Sequence, residues 1–145
     1  MNEMIARFPE QLAEALRLAE TVSLQKHQAP YRNVLISGLG GSGICGNFVQ
    51  DLVRAECKLP ILVNKGYIAP NWVSKHTLAI CSSYSGNTEE TLQIARQLLP
   101  GGAKMVAVTS GGKLLDLARQ HGWDAVQVPG GWSSPRACLG YSIVL

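Results

Sequence analysis

Residues 82–91 read Ser-Ser-Tyr-Ser-Gly-Asn-Thr-Glu-Glu-Thr, directly after the apolar run Leu78-Ala79-Ile80-Cys81 and before a helical pattern. Hydroxyls at Ser82, Ser83, Ser85 and Thr88 crowd the point where a buried strand ends and a helix begins, and Gly86 allows a sharp turn there. The unpaired N–H groups and partial positive charge of a helix N-terminus make such a point a seat for an anion, phosphate above all. Ordinary capping, with Asn87 as N-cap and Glu90 completing a capping box, accounts for Asn87, Thr88 and Glu90. It leaves the upstream hydroxyls unexplained, and these favour anion binding.

A second glycine-rich stretch, Gly38-Leu39-Gly40-Gly41-Ser42-Gly43, also joins a strand to a helix and matches the dinucleotide fingerprint G-x-G-x-x-G. That fingerprint needs an acidic residue at the end of the next strand, where this chain has Val63-Asn64-Lys65-Gly66. Ser42 also adds a hydroxyl where a dinucleotide site favours bare backbone. No Gly-Lys-Ser or Gly-Lys-Thr occurs, which excludes a nucleotide P-loop.

Arg136 lies among glycines, prolines and apolar residues with no carboxylate nearby in sequence, so its guanidinium is available for a phosphate or a developing enolate-type charge. His27, His76 and His121 have no partners in sequence, and surface or capping roles suit each. Glu89 and Glu90 are adjacent and point in different directions on a helix, so they complement the macrodipole rather than form an acid–base pair. Trp132 suits packing or the lining of a crevice. Cys45, Cys57, Cys81 and Cys138 lack metal-ligand spacing.

The elements that must position these residues follow from the hydrophobic pattern. An amphipathic helix over about 9–21 leads, with Pro9 early in it, and 25–31 is a loop. Strands are expected at 33–37, 60–63, 77–81, 104–109 and 125–128, and helices at 44–55, 88–99 and 113–121. A further apolar helix opens at Pro135. Apolar strands alternating with helices predict a parallel sheet covered on both faces, a three-layer α/β/α sandwich. In the flavodoxin-like order the first and third strands are neighbours, which puts the glycine and serine loops on either side of one crevice at the carboxyl edge.

Thirteen Lys and Arg against ten Asp and Glu leave a net charge of +3, and the basic residues are scattered rather than arrayed for a nucleic-acid backbone. Apolar residues at 46% and charged ones at 16% describe a globular chain long enough for a core. No apolar run reaches membrane-spanning length and no signal peptide is visible, so a cytoplasmic protein with free thiols is expected.

Taken together the segments resemble the sugar isomerase (SIS) domain, and more narrowly the bifunctional phosphoglucose/phosphomannose isomerases. Three motifs carry the resemblance: Gly38–Gly43, Ser83–Thr91, and Pro129-Gly130-Gly131 followed by Pro135-Arg136-Ala137 and Leu139-Gly140-Tyr141. The serine motif is shared across SIS domains generally, and the third narrows the match. The resemblance implies a five-stranded parallel sheet and interconversion of glucose 6-phosphate or mannose 6-phosphate with fructose 6-phosphate. It implies that Ser83, Ser85 and Thr88 hold the phosphate, that Gly40, Gly41 and Ser42 line the sugar, and that Arg136 stabilises a cis-enediolate. No cofactor or metal is implied.

Family members are about twice this length and carry two SIS domains, with the proton-shuttling glutamate and the ring-opening histidine in the half not seen here. Residues 1–145 are therefore expected to be one SIS domain, 1–32 a leading helix and loop and 33–145 the binding core, from a longer homodimeric enzyme. The hexose 6-phosphate is the expected partner, with no nucleic acid and no membrane. A non-catalytic sugar-phosphate sensor and a dinucleotide-binding Rossmann domain are the alternatives.

Overall fold

The computed structural model describes residues 6–133 and 135–145. Helix α1 spans Phe8–Ala19, β1 Asn33–Ser37, α2 Gly40–Leu52 and β2 Ile61–Asn64. Then follow β3 Thr77–Ser82, α3 Glu89–Leu98, β4 Lys104–Thr109, α4 Gly112–His121 and β5 Asp124–Gln127. A 3-10 turn over Pro135–Cys138 leads into the short α5, Leu139–Val144, so the apolar segment expected as one helix from Pro135 is divided in two. Pro135 cannot donate a backbone hydrogen bond, which suits it to the first position of that tight turn.

All five strands run parallel in the order β2-β1-β3-β4-β5. This is the three-layer flavodoxin-like arrangement the periodicity predicts, and strand limits differ from the expected ones by at most one residue. On one face α3 and α4 pack Leu92, Ile94, Ala95, Leu98, Leu114 and Ala118 onto Leu35, Ala79, Cys81, Met105 and Ala107. On the other, Ala15 of α1 with Cys138 and Tyr141 cover Val106, Val108, Val126 and Val128, while α5 packs against both α1 and α2. The central strands are buried on both sides, as covered parallel sheets require. At the edge, β5 alternates: Asp124 and Val126 are buried, Ala125 and Gln127 exposed.

Helix α2 begins at Gly40, not at Ile44 as the glycine content suggests. Most of the glycine-rich stretch is thus the first helical turn, and its composition serves close packing. A Cβ on Gly43 would stand 2.5 Å from the Gly38 carbonyl oxygen, well inside contact distance. One Lys–Asp pair ties the amino ends of the sheet: Lys104 Nζ lies 2.5 Å from Asp124 Oδ2, both side chains nearly buried. No helix among the described residues is long and apolar enough to cross a membrane.

Candidate functional site

The serine loop leaves β3 at the carboxyl edge, where strand ladders end and backbone groups become available to a ligand. Its geometry is fixed by a dense set of hydrogen bonds. The Ser83 N–H continues the ladder to Val108 O at 3.0 Å, and the Gly86 N–H turns back to Ser83 O at 3.0 Å. Gly86 holds φ at +68°, and a Cβ there would stand 1.8 Å from the Gly111 carbonyl oxygen. No other residue type fits. Ser83 is almost wholly buried, and its hydroxyl and that of Thr88 share a hydrogen bond of 2.8 Å. Ser85 is exposed, and its Oγ accepts the Asn87 N–H at 3.2 Å, which leaves the hydroxyl proton of Ser85 to donate outward.

The expected capping box does not form. Thr88, not Asn87, is the N-cap of α3, and it makes no side-chain cap bond. Asn87 turns toward the next helix instead: its Oδ1 accepts the Lys113 N–H at 3.2 Å, and Gly86 O accepts the Leu114 N–H at 2.9 Å. Glu90 accepts a hydrogen bond from the Tyr67 hydroxyl at 2.9 Å. The serine loop therefore closes the N-terminus of α4 while leaving that of α3 without a side-chain cap. An open helix N-terminus ringed by Ser83, Ser85 and Thr88 presents main-chain N–H groups, hydroxyls and a positive dipole end to an anion.

The glycine loop meets the serine loop directly. Ser42, buried in the first turn of α2, accepts the Tyr84 N–H at 3.3 Å. Gly40 and Gly41 flank it at the same strand edge, Gly40 exposed and Gly41 half-buried. A cavity of about 150 Å³ opens beside Ser42, lined by Ile36, Cys45, Ser82 and Val108 among others. The two loops thus adjoin across β1 and β3 as the strand order predicts. Arg136 is exposed on the 3-10 turn Pro135–Cys138, which packs against α2. Ser134, beside the third motif, lies outside the described residues.

Other candidates take structural roles. His27 stacks on Tyr31 with ring centroids 5.2 Å apart and bonds Lys75 O, His76 bonds Pro30 O, and His121 stacks on Trp123. Trp132 packs on Tyr141, with the Arg7 guanidinium 5.0 Å above its ring. Where a dinucleotide site needs an acid, Asn64 folds onto its own loop, accepting the Gly66 N–H and donating to Ile68 O. Burial pushes the thiols of Cys45 and Cys138 up to about 11 and that of Cys81 to about 12, which keeps them protonated. Among the described residues no cluster of three or more His, Cys, Asp or Glu could hold a metal ion.

Sequence reasoning missed the part played by Tyr84. Its carbonyl oxygen accepts the Ser110 N–H at 3.0 Å and the Ser110 hydroxyl at 2.6 Å, and its phenol oxygen accepts the Trp132 N–H at 2.9 Å. Those partners stand 26 and 48 residues away, with no local signal to announce them.

The bifunctional phosphoglucose/phosphomannose isomerase of Caldicellulosiruptor bescii is 42% identical over 144 residues, 99% of this chain and 42% of that protein. Its counterpart from Aquifex aeolicus is 38% identical over 86% of this chain and 39% of its own length. The D-glucosamine-6-phosphate 4-epimerase of Sulfolobus acidocaldarius is 36% identical over 67% of this chain and 30% of its length. The chain thus spans about two fifths of the curated isomerases it matches. No family model matches. Among solved structures, a candidate phosphosugar isomerase of Clostridium difficile superposes with a TM-score of 0.76 at 13% identity, over 97% of this chain and 42% of that one. The Vibrio vulnificus NanR protein complexed with ManNAc-6P gives 0.60 at 20% identity, covering 94% and 51%. These establish the fold.

Proposed function

This chain belongs to the bifunctional phosphoglucose/phosphomannose isomerase family, and from that premise we propose that it is the sugar-phosphate-holding SIS domain of an aldose–ketose isomerase. The substrate is a hexose 6-phosphate, glucose or mannose on the aldose side and fructose on the ketose side. The observation that carries this reading is the α3 N-terminus, which Asn87 leaves open by capping α4 and which Ser83, Ser85 and Thr88 surround. The Vibrio neighbour's complex with ManNAc-6P supports a phosphosugar in a fold of this kind.

In this reading Ser83, Ser85 and Thr88 hold the phosphate, and Gly40, Gly41 and Ser42 line the sugar. Isomerisation of the open-chain aldose moves one proton from C2 to C1 and another from the C2 hydroxyl to the C1 oxygen. The electrons released at C2 make an enediolate, whose charge the Arg136 guanidinium stabilises. A base within hydrogen-bond reach of C2 must carry that proton. Of the two carboxylates nearest the serine loop in sequence, Glu90 is engaged by Tyr67 and Glu89 is exposed on the first turn of α3. We assign the base to the part of the enzyme beyond this chain, which by itself binds but does not turn over. The intact enzyme is read as a cytoplasmic homodimer.

Calorimetric titration with glucose 6-phosphate, mannose 6-phosphate and NAD(P) tests this. Hexose phosphate binding that disappears in Ser83→Ala and Ser85→Ala variants is the expected outcome. Preferential binding of NAD(P), or rapid interconversion of hexose phosphates by the 145-residue chain alone, would refute it.

A further inference from the structure

The loop that leaves β2 is held over residues 66–69 by two amide side chains. Asn64 accepts the Gly66 N–H at 2.8 Å and donates to Ile68 O at 2.8 Å. Gln97 of α3 accepts the Ala69 N–H at 2.9 Å and donates to Tyr67 O at 2.8 Å. Ala69 also packs against the core that includes Leu98. Glu90 and Gln97 stand two turns apart on one face of α3. With its backbone clamped at Gln97, Tyr67 donates its phenol proton to Glu90 Oε1 at 2.9 Å, in the first turn of the same helix. A first-turn glutamate has another use, since its carboxylate can fold back onto the free N–H groups of the helix start and is drawn there by the dipole. Those N–H groups are the ones on which the anion seat depends. Both local capping groups are diverted from them, Asn87 to α4 and Glu90 to Tyr67.

We propose that Tyr67 is a positioning residue for the anion seat: by engaging the Glu90 carboxylate, its phenol keeps that charge off the α3 N-terminus and leaves the N–H groups there to the substrate's phosphate. Removing the phenol hydroxyl releases a negative charge within one turn of the seat. Removing the Glu90 side chain as well takes the competitor away, so the two changes should not add. This rests on the sugar-phosphate reading above, and its test separates the two.

The probes are glucose 6-phosphate and inorganic phosphate. Dissociation constants are measured for the unaltered chain, Tyr67→Phe, Glu90→Ala, and the double variant Tyr67→Phe/Glu90→Ala. Tyr67→Phe should weaken both ligands by about fivefold, the ratio that one charge at a helix end carries. Glu90→Ala should bind both at least as tightly as the unaltered chain, and the double variant should match Glu90→Ala. Gln97→Ala, which frees the Tyr67 backbone without touching its phenol, should weaken both ligands in the same direction, and Glu90→Ala should relieve that loss too. A structural defect in the loop would not be rescued by deleting Glu90. Undiminished affinity in Tyr67→Phe, or a loss that persists in the double variant, overturns the positioning role. A loss confined to glucose 6-phosphate also overturns it, because Tyr67 would then act on the sugar and not through Glu90. If the unaltered chain binds neither ligand, the functional reading fails and this proposal fails with it. If it binds both and Tyr67→Phe changes nothing, only the proposal falls.

Discussion

Asn87 gives its amide oxygen to the Lys113 N–H at 3.2 Å, capping a helix 26 residues further along the chain rather than the helix it precedes. The consequence is an exchange of roles between two neighbouring helix starts. Helix α4 receives Asn87 Oδ1 and Gly86 O on its first-turn N–H groups, while α3 begins with no side-chain cap. A negative ligand at α3 then supplies what a capping side chain would otherwise supply.

That exchange predicts the behaviour of Asn87→Asp. Aspartate is as good an acceptor for the Lys113 N–H, so the α4 cap should be kept, while loss of the Asn87 Nδ2 bond to Ser85 O at 3.1 Å should lower the Tm modestly. The added carboxylate stands beside the open N-terminus and repels an incoming phosphate. Affinity for hexose 6-phosphate should fall about tenfold in low salt, with a smaller deficit at about 1 M salt where charges are screened. Calorimetric titration at both salt concentrations checks this, and an undiminished affinity would remove the anion seat from α3.

The strand order was legible because each apolar run is short, bounded by turn residues and followed by a helical period, and because β-branched residues such as Val34 and Ile36 at the centre of a run favour a strand. The pairing of the glycine and serine loops followed from that order alone. The role of Asn87 was not legible: a local rule assigns it to the nearest helix, and the partner that wins, Lys113, becomes visible only once α3 and α4 lie side by side. The start of α2 at Gly40 was hidden for a related reason. Glycine is a poor helix former by propensity, yet here close packing of Gly43 on Gly38 outweighs it. The Lys104–Asp124 pair carried a faint signal, since each charge opens a largely apolar strand.

Gly86 allows a sharp test of the serine loop as drawn. Alanine must adopt φ +68° and place its Cβ 1.8 Å from the Gly111 carbonyl oxygen, so the loop and the start of α4 have to separate. Gly86→Ala should cost more than about 2 kcal/mol of stability in urea unfolding. Gly130→Ala, with nothing within 4 Å of the added Cβ, should stay within about 0.5 kcal/mol of the parent. Equal midpoints for the two variants would contradict the packing of Gly86 on Gly111.

Stability and ligand binding should separate at the opposite edge of the sheet. Asp124 is nearly buried, pairs with Lys104 Nζ and accepts the Gln25 N–H through both oxygens at 3.2 and 3.0 Å. Asp124→Asn keeps an acceptor for Gln25 but leaves the Lys104 ammonium buried without a counter-charge, at a cost of about 3 kcal/mol. Because these residues sit at the amino ends of β4 and β5, the folded fraction should bind hexose 6-phosphate as the parent does. Urea unfolding together with titration at low temperature measures both, and a parallel loss of affinity would show that the sheet transmits the change to the serine loop.

The buried thiols set the response to alkali. Burial raises Cys81 from an ordinary 9.0 to about 12, and Cys45 and Cys138 to about 11. Below about pH 9 each thiol is protonated in both folded and unfolded chains and contributes no pH dependence. Above it the unfolded chain releases protons that the folded chain retains, so stability declines as pH rises through the window from about 9 toward 11 or 12. For Cys81 alone, the loss at about pH 10, one unit above the unfolded thiol's value, is on the order of 1 kcal/mol. Cys81→Ala removes that contribution, so its urea stability should fall less between about pH 8 and pH 10 than the parent's by this amount, whatever the cavity costs at the lower pH. The same decline in both chains would mean that Cys81 ionises without unfolding, and that the strand core around Leu35, Ala79 and Ala107 is open to solvent at high pH.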